Sequence, residues 1–142
     1  MTKKTTTRAK LPSPTRRRAI RVRVTPAYLE DRSTPAENHY VWSYTVNIVN
    51  EGNEIVQLLS RHWHITDSNG RSEHVRGPGV VGQTPVINPN ETFTYSSGCP
   101  LKTASGIMSG TYQMISHTKA ETFNITVPAF SLDSPYAMRS VN

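Results

Sequence analysis

Cysteine is almost absent: Cys99 is the single one in 142 residues, so no intramolecular disulfide can staple the chain. That usage fits a reducing compartment and a cytoplasmic protein. No apolar run approaches the roughly 18–20 residues needed to span a bilayer, so membrane insertion is not expected. The opening MTKKTTTRAKLPSPTRRR lacks the apolar stretch of a secretory signal. Acid is also missing from one end. Residues 1–23 hold nine Lys or Arg and no Asp or Glu, whereas the remainder sets seven basic side chains against ten acidic ones. The net charge of +6 therefore belongs to the tail, and the body carries a formal −3. Phosphate contact with a nucleic acid is confined to that tail, where no aromatic side chains interleave the charges as a stacking platform. A solvated tail is the simpler reading.

What is present is short-period alternation. Residues 1–18 offer little to bury and are expected to be a disordered basic tail, with one domain over 19–142. Ile20, Val22 and Val24 alternate with Arg21 and Arg23, which predicts a half-buried strand, and Pro26 restricts it to an edge or a bulge. In Tyr40 to Ile48 the even positions are large (Tyr40, Trp42, Tyr44, Val46, Ile48) and Ser43, Thr45 and Asn47 fall between them, the pattern of a central strand. A second long strand over 55–66 follows the turn residues Asn50-Glu51-Gly52-Asn53. Asp67-Ser68-Asn69-Gly70 reads as a hairpin turn of type I′, with Asn69 and Gly70 at positive φ. Shorter strands are expected over 71–76, 92–96, 109–116 and 122–127, with a breaker-rich loop from Gly98 to Gly106. No segment keeps a helical period. Seven or eight short strands predict an all-β sandwich of two antiparallel sheets.

The blocks LLSRHWHITDSNG, VRGPGVVGQTPVINPNETFTYSSGCPL and GTYQM, preceded by RVRVTPAYL and HYVWSYTVNIVNEGNEIVQ, resemble the ApaG family over about residues 20–132. The resemblance implies a sandwich of fibronectin type III/immunoglobulin type. It also implies an association with cobalt resistance and magnesium efflux, and, through similar domains in F-box proteins, protein–protein interaction. It brings no catalytic residues and no cofactor. With no spanning segment expected, any efflux role is an indirect one.

Several residue sets could carry chemistry. Gly77-Pro78-Gly79-Val80-Val81-Gly82 spells G-x-G-x-x-G, but a dinucleotide site needs a helix after the loop, and Pro85 with its β-branched neighbours is poor helix material. The reading kept is a structural loop. Its Arg76, Gly77, Gly79, Gly82 and Gln83 are the first candidates for contacting a protein partner. The alternative is a small-ligand module that holds a phosphorylated compound or a divalent cation there. His62 and His64 share one face of a strand, and His74 on the returning strand could join them to bind cobalt or zinc, with Glu73 and Asp67 as oxygen ligands. The family usually has an apolar residue where His64 stands, and polar strand-surface residues are the plainer account. Arg61, His62 and Trp63 are further partner-binding candidates. Trp63 shares its face with Gln57 and Arg61, so either a bulge rotates the strand near Ser60 or part of that face is exposed. Cys99 has no base placed beside it in sequence and reads as a structural thiol. The expectation is a non-enzymatic binding or adaptor domain.

Overall fold

The computed structural model describes residues 18–137. Among these residues eight strands make two antiparallel sheets. Strands β1 (Ile20–Tyr28), β2 (Tyr40–Asn50) and β6 (Thr92–Leu101) form one, in the order β1-β2-β6. Strands β3 (Val56–Asp67), β4 (Ser72–Pro78), β5 (Val86–Ile87), β7 (Ser105–Ser116) and β8 (Glu121–Asp133) form the other, in the order β4-β3-β7-β8. Strand β5 continues the β4 edge of β3, pairing Ile87 with Val56. The sandwich expected from the alternation is the fold observed.

The period of two decides which face is buried. Trp42, Tyr44, Val46 and Ile48 all point inward from β2 and are buried. The Trp42 indole Nε1 donates to Asp133 O at 2.8 Å, tying β2 to the end of β8. Between the sheets, Tyr95 of β6 and Tyr112 of β7 meet hydroxyl to hydroxyl at 2.6 Å, so neither buried polar atom lacks a partner.

In β3 the inward set changes parity. Val56 and Leu58 point inward, then Trp63 and Ile65 do. The register against β7 slips between Leu58 and Ser60, a bulge that lets two residues oppose one and rotates the strand. Of the two readings left open for Trp63, the bulge is the one observed.

Two expected turns differ in detail. The loop after β3 is a hairpin, but among its residues Gly70 alone has positive φ, at 86°. Asp67 N donates to Arg71 O, so three residues close the loop instead of two, and the Asp67 carboxylate accepts the Asn69 and Arg71 amides. The expected loop at Gly98 is strand: β6 continues through Cys99 and Pro100 to Leu101. Proline is tolerated because β6 is an edge. Val41, opposite Pro100, uses its N–H and C=O toward Ser33 and Leu29, so the missing Pro100 N–H faces the free side.

The two sides of the sandwich are closed unequally. Strands β1 and β8 pack together. At that end Arg18, the last residue of the expected tail, bonds Glu54 at 3.1 Å and Glu121, and lies 4.9 Å over the Phe123 ring. Residues 1–17 of that tail lie outside the described residues. Glu54 is buried; burial pushes its carboxyl up, but the Ser116 hydroxyl and the Arg18 guanidinium outweigh this and hold it below the usual value. A depressed folded value means the unfolded chain binds the proton first as pH falls. The stabilisation is therefore present above the ordinary glutamate range and is lost as pH drops through the folded value. Thermal unfolding followed from about pH 6 to about pH 3 should show this limb, and Glu54→Gln should flatten it. The opposite side, between β4 and β6, is open.

Candidate functional site

Strand β4 leaves β3 at Pro78 and the chain returns to it at Pro85, with Gly79 N donating to Leu59 O and Leu58 N to Pro85 O. Between these points residues 80–83 form a two-residue hairpin, closed by Val80 N to Gln83 O at 2.8 Å and Gln83 N to Val80 O at 2.9 Å. Both central residues have positive φ, Val81 at 43° and Gly82 at 79°, as a primed turn requires. No helix follows, so the glycine pattern is not a dinucleotide loop. The Gly79, Val80 and Gln83 amides already donate to protein carbonyls, and Pro78 has none to give.

Each glycine has a separate reason. A Cβ on Gly79 would sit 2.2 Å from Gln83 O, so only glycine lets the hairpin base close. Gly77 makes room for the Arg61 guanidinium, whose Nη1 would lie 3.0 Å from a Cβ there. Arg61 points inward, in step with Trp63, and its Nη1 donates to Pro78 O and Gly79 O, both at 3.0 Å. One side chain thus braces the hairpin from below. Val81 at the tip is 50% exposed, an apolar β-branched residue in a left-handed conformation that such residues rarely adopt.

Arg76 pairs with His62 across β3 and β4 and so lies on the outer face, away from the hairpin's underside. His62, His64 and His74 do come together on that outer face. His62 Nε2 lies 2.8 Å from His74 Nδ1, and the His64 and His74 rings stack at 4.4 Å. Desolvation first, then the charges of Arg76, His74 and His64, hold the His62 imidazole below its usual value. The expected oxygen ligands do not join them. Asp67 caps the β3–β4 turn, and Glu73 sits opposite Ile65 on the inward face. Among the described residues no group of three or more His, Cys, Asp or Glu side chains is disposed to hold a metal ion.

Trp63 is 3% exposed and packs edge-on against Tyr44, Tyr112 and Phe130. It is a core residue, so the exposed anchor considered from sequence does not exist, because the bulge turned it inward. Cys99 is buried as well. Desolvation, with a smaller push from the Glu73 charge, raises its thiol to about 11, which keeps it protonated and unreactive at neutral pH.

Sequence reasoning missed the open seam. Tyr44 of β2, Ser97 of β6 and Arg61 of β3 line two adjoining cavities between the free edges of β4 and β6. The Tyr44 hydroxyl is raised above its usual value by burial, against the opposing bond with Ser97, and Tyr95 is pushed up to about 12 in the same way. These hydroxyls are neutral hydrogen-bonding groups at physiological pH.

Eight antiparallel strands among the described residues, braced at one edge by the Arg61 side chain and carrying a rigid hairpin, define a small all-β sandwich domain. A family model described as the ApaG domain matches residues 30–116. Protein ApaG of Mesorhizobium japonicum is 59% identical over 125 residues, covering 88% of this chain and 95% of that protein; Protein ApaG of Paramagnetospirillum magneticum is 54% identical over the same shares. A crystal structure of a Bordetella pertussis protein described as ApaA superposes with TM-score 0.80 at 45% identity, covering 83% of this chain and 95% of that one. The chain belongs to the ApaG family.

Proposed function

We propose that this chain is a non-enzymatic, cytoplasmic binding domain that engages a protein partner through the Val80–Gln83 hairpin, with Arg61 as the brace beneath it. The observation that carries this is Val81: an exposed valine held at φ 43°. Left-handed backbone costs an L-residue about 1–2 kcal/mol, and strain of this kind persists where the surroundings enforce it and the site uses it. Here two hairpin bonds and the Arg61 contacts enforce it, and the result is an apolar knob on a stiff stem, suited to a partner's pocket. The absence of an activated nucleophile at Cys99 supports a binding role over a catalytic one. The link to cobalt and magnesium is proposed as indirect, carried by the partner.

The test separates fold from function. Asn tolerates the left-handed region, so Val81→Asn relieves strain and should leave stability unchanged or raise it by about 1 kcal/mol. In matched capture experiments from cell extract, a protein retained by the wild type and lost with Val81→Asn supports the reading. Partners retained equally by both baits would show that the tip is not the contact.

A further inference from the structure

The open seam holds donor groups that the hairpin does not use. Arg61 is half-buried between the sheets, and among the described residues it makes no ion pair. Its Nη1 is occupied by two carbonyl oxygens; Nε and Nη2 have no hydrogen-bond partner among the described residues. The half-buried guanidinium keeps these two nitrogens for a ligand, and a carboxylate accepts such neighbouring N–H donors in a bidentate bond. Two cavities meet at this side chain. The outer one, about 300 Å³, runs under the hairpin, and the inner one, about 190 Å³, runs along the seam. Both share Tyr44, Arg61 and Ser97 as lining.

The inner chamber has a second observation of its own. Trp63, Val75 and Met108 wall it, and the buried Trp63 Nε1 has no hydrogen-bond partner. Buried donors without acceptors are rare, because the lost water is not replaced. The chamber combines the Arg61 guanidinium, the hydroxyls of Tyr44 and Ser97 and an apolar wall. Its far end carries the Glu73 carboxylate.

We propose that the inner chamber of the β4–β6 seam binds a small organic carboxylate, with Arg61 receiving the carboxylate and Trp63, Val75 and Met108 holding its apolar body. A phosphate dianion would meet about twice the Glu73 repulsion that a carboxylate meets, and it has no apolar body for Trp63, Val75 and Met108 to hold. The inner volume corresponds to roughly six water volumes, the size of a branched acid of about seven non-hydrogen atoms. This site is independent of the hairpin-tip reading, but the two share Arg61. A carboxylate on Arg61 acts on the group that holds Pro78 O and Gly79 O, and so on the hairpin that presents Val81.

The two tryptophans make the test internal. The Trp42 indole N–H is committed to Asp133 O and serves as reference, while the Trp63 indole N–H reports the chamber. Nitrogen-15 NMR spectra of the full chain are recorded while titrating isovalerate, its neutral analogue isovaleramide, and inorganic phosphate at matched ionic strength. The expected result is a saturable shift of the Trp63 indole and of the Val75, Gly77 and Ser97 amides with isovalerate alone, while the Trp42 indole stays in place. Arg61→Gln should weaken binding at least tenfold. Val75→Phe, which fills the chamber and leaves Arg61 in place, should abolish it, with the Trp42 signal certifying the fold should Arg61→Gln fail to fold. No saturable shift at tens of millimolar, equal binding of the amide or of phosphate, or binding retained by Val75→Phe each overturns the proposal.

Discussion

Trp63→Ala should destabilise the protein by about 3–5 kcal/mol and lower the melting temperature by roughly 10–20 °C. The size of the effect follows from where the ring lies. It is 3% exposed and in edge-on contact with Tyr44 of one sheet and with Tyr112 and Phe130 of the other. Removing it leaves a void that three other aromatic side chains, each anchored on a strand, are poorly able to fill, and the cavity adds its own penalty to the lost transfer free energy. The packing on the far side is just as tight. A Cβ on Gly110, opposite Trp63 across β3 and β7, would lie 2.6 Å from the indole ring, so the site has no slack toward β7. Differential scanning calorimetry with a urea titration measures the loss. A change below about 1 kcal/mol would mean that Trp63 lies at the surface and that the bulge at Leu58/Ser60 is absent.

The second large effect separates two glycines of one motif. Gly79→Ala should cost about 3 kcal/mol or more, whereas Gly82→Ala should cost about 1–2 kcal/mol. Both residues have positive φ, 60° and 79°, so both substitutions meet the same backbone penalty. Only Gly79 adds a collision, because its Cβ would sit 2.2 Å from the backbone oxygen of Gln83, while nothing lies within 4 Å of a Cβ on Gly82. Backbone cannot step aside as a side-chain tip can. The hairpin base must open, and the Gly79 carbonyl that accepts from Arg61 moves with it. Equilibrium unfolding of the two variants side by side reads the difference. Equal costs would show that the hairpin base has room, and that Gly79 serves conformation alone.

Much of the architecture was legible because strand alternation is local. Trp42, Tyr44, Val46 and Ile48 are spaced to one face whatever the sheet beside them does, and they are the buried row of β2. The Asn-Gly and Asn-Pro-Asn breakers marked where strands turn, although not how: Asn69 keeps negative φ because the Asp67 carboxylate captures two amides and closes a longer loop. Strand ends were less legible at β6. Proline and glycine at 98–100 argue against a strand until one knows that β6 has a neighbour on one side only.

The candidate site divides along the same line. The chain by itself determined the all-β class, a structural role for the Gly77–Gly82 loop and the shared face of His62 and His64, since each depends on residues close in sequence. The tertiary structure alone decided the rest. A one-residue bulge turned Trp63 inward and carried Arg61 under the hairpin. The meeting of Arg61, Tyr44 and Ser97 joins three strands from two sheets, and the sequence distance between them carries no signal of it. Whether a sandwich's lateral seam closes depends on how the two sheets stack edge against edge. Here β1 and β8 meet, while β4 and β6 stand apart and leave a half-buried cation between them.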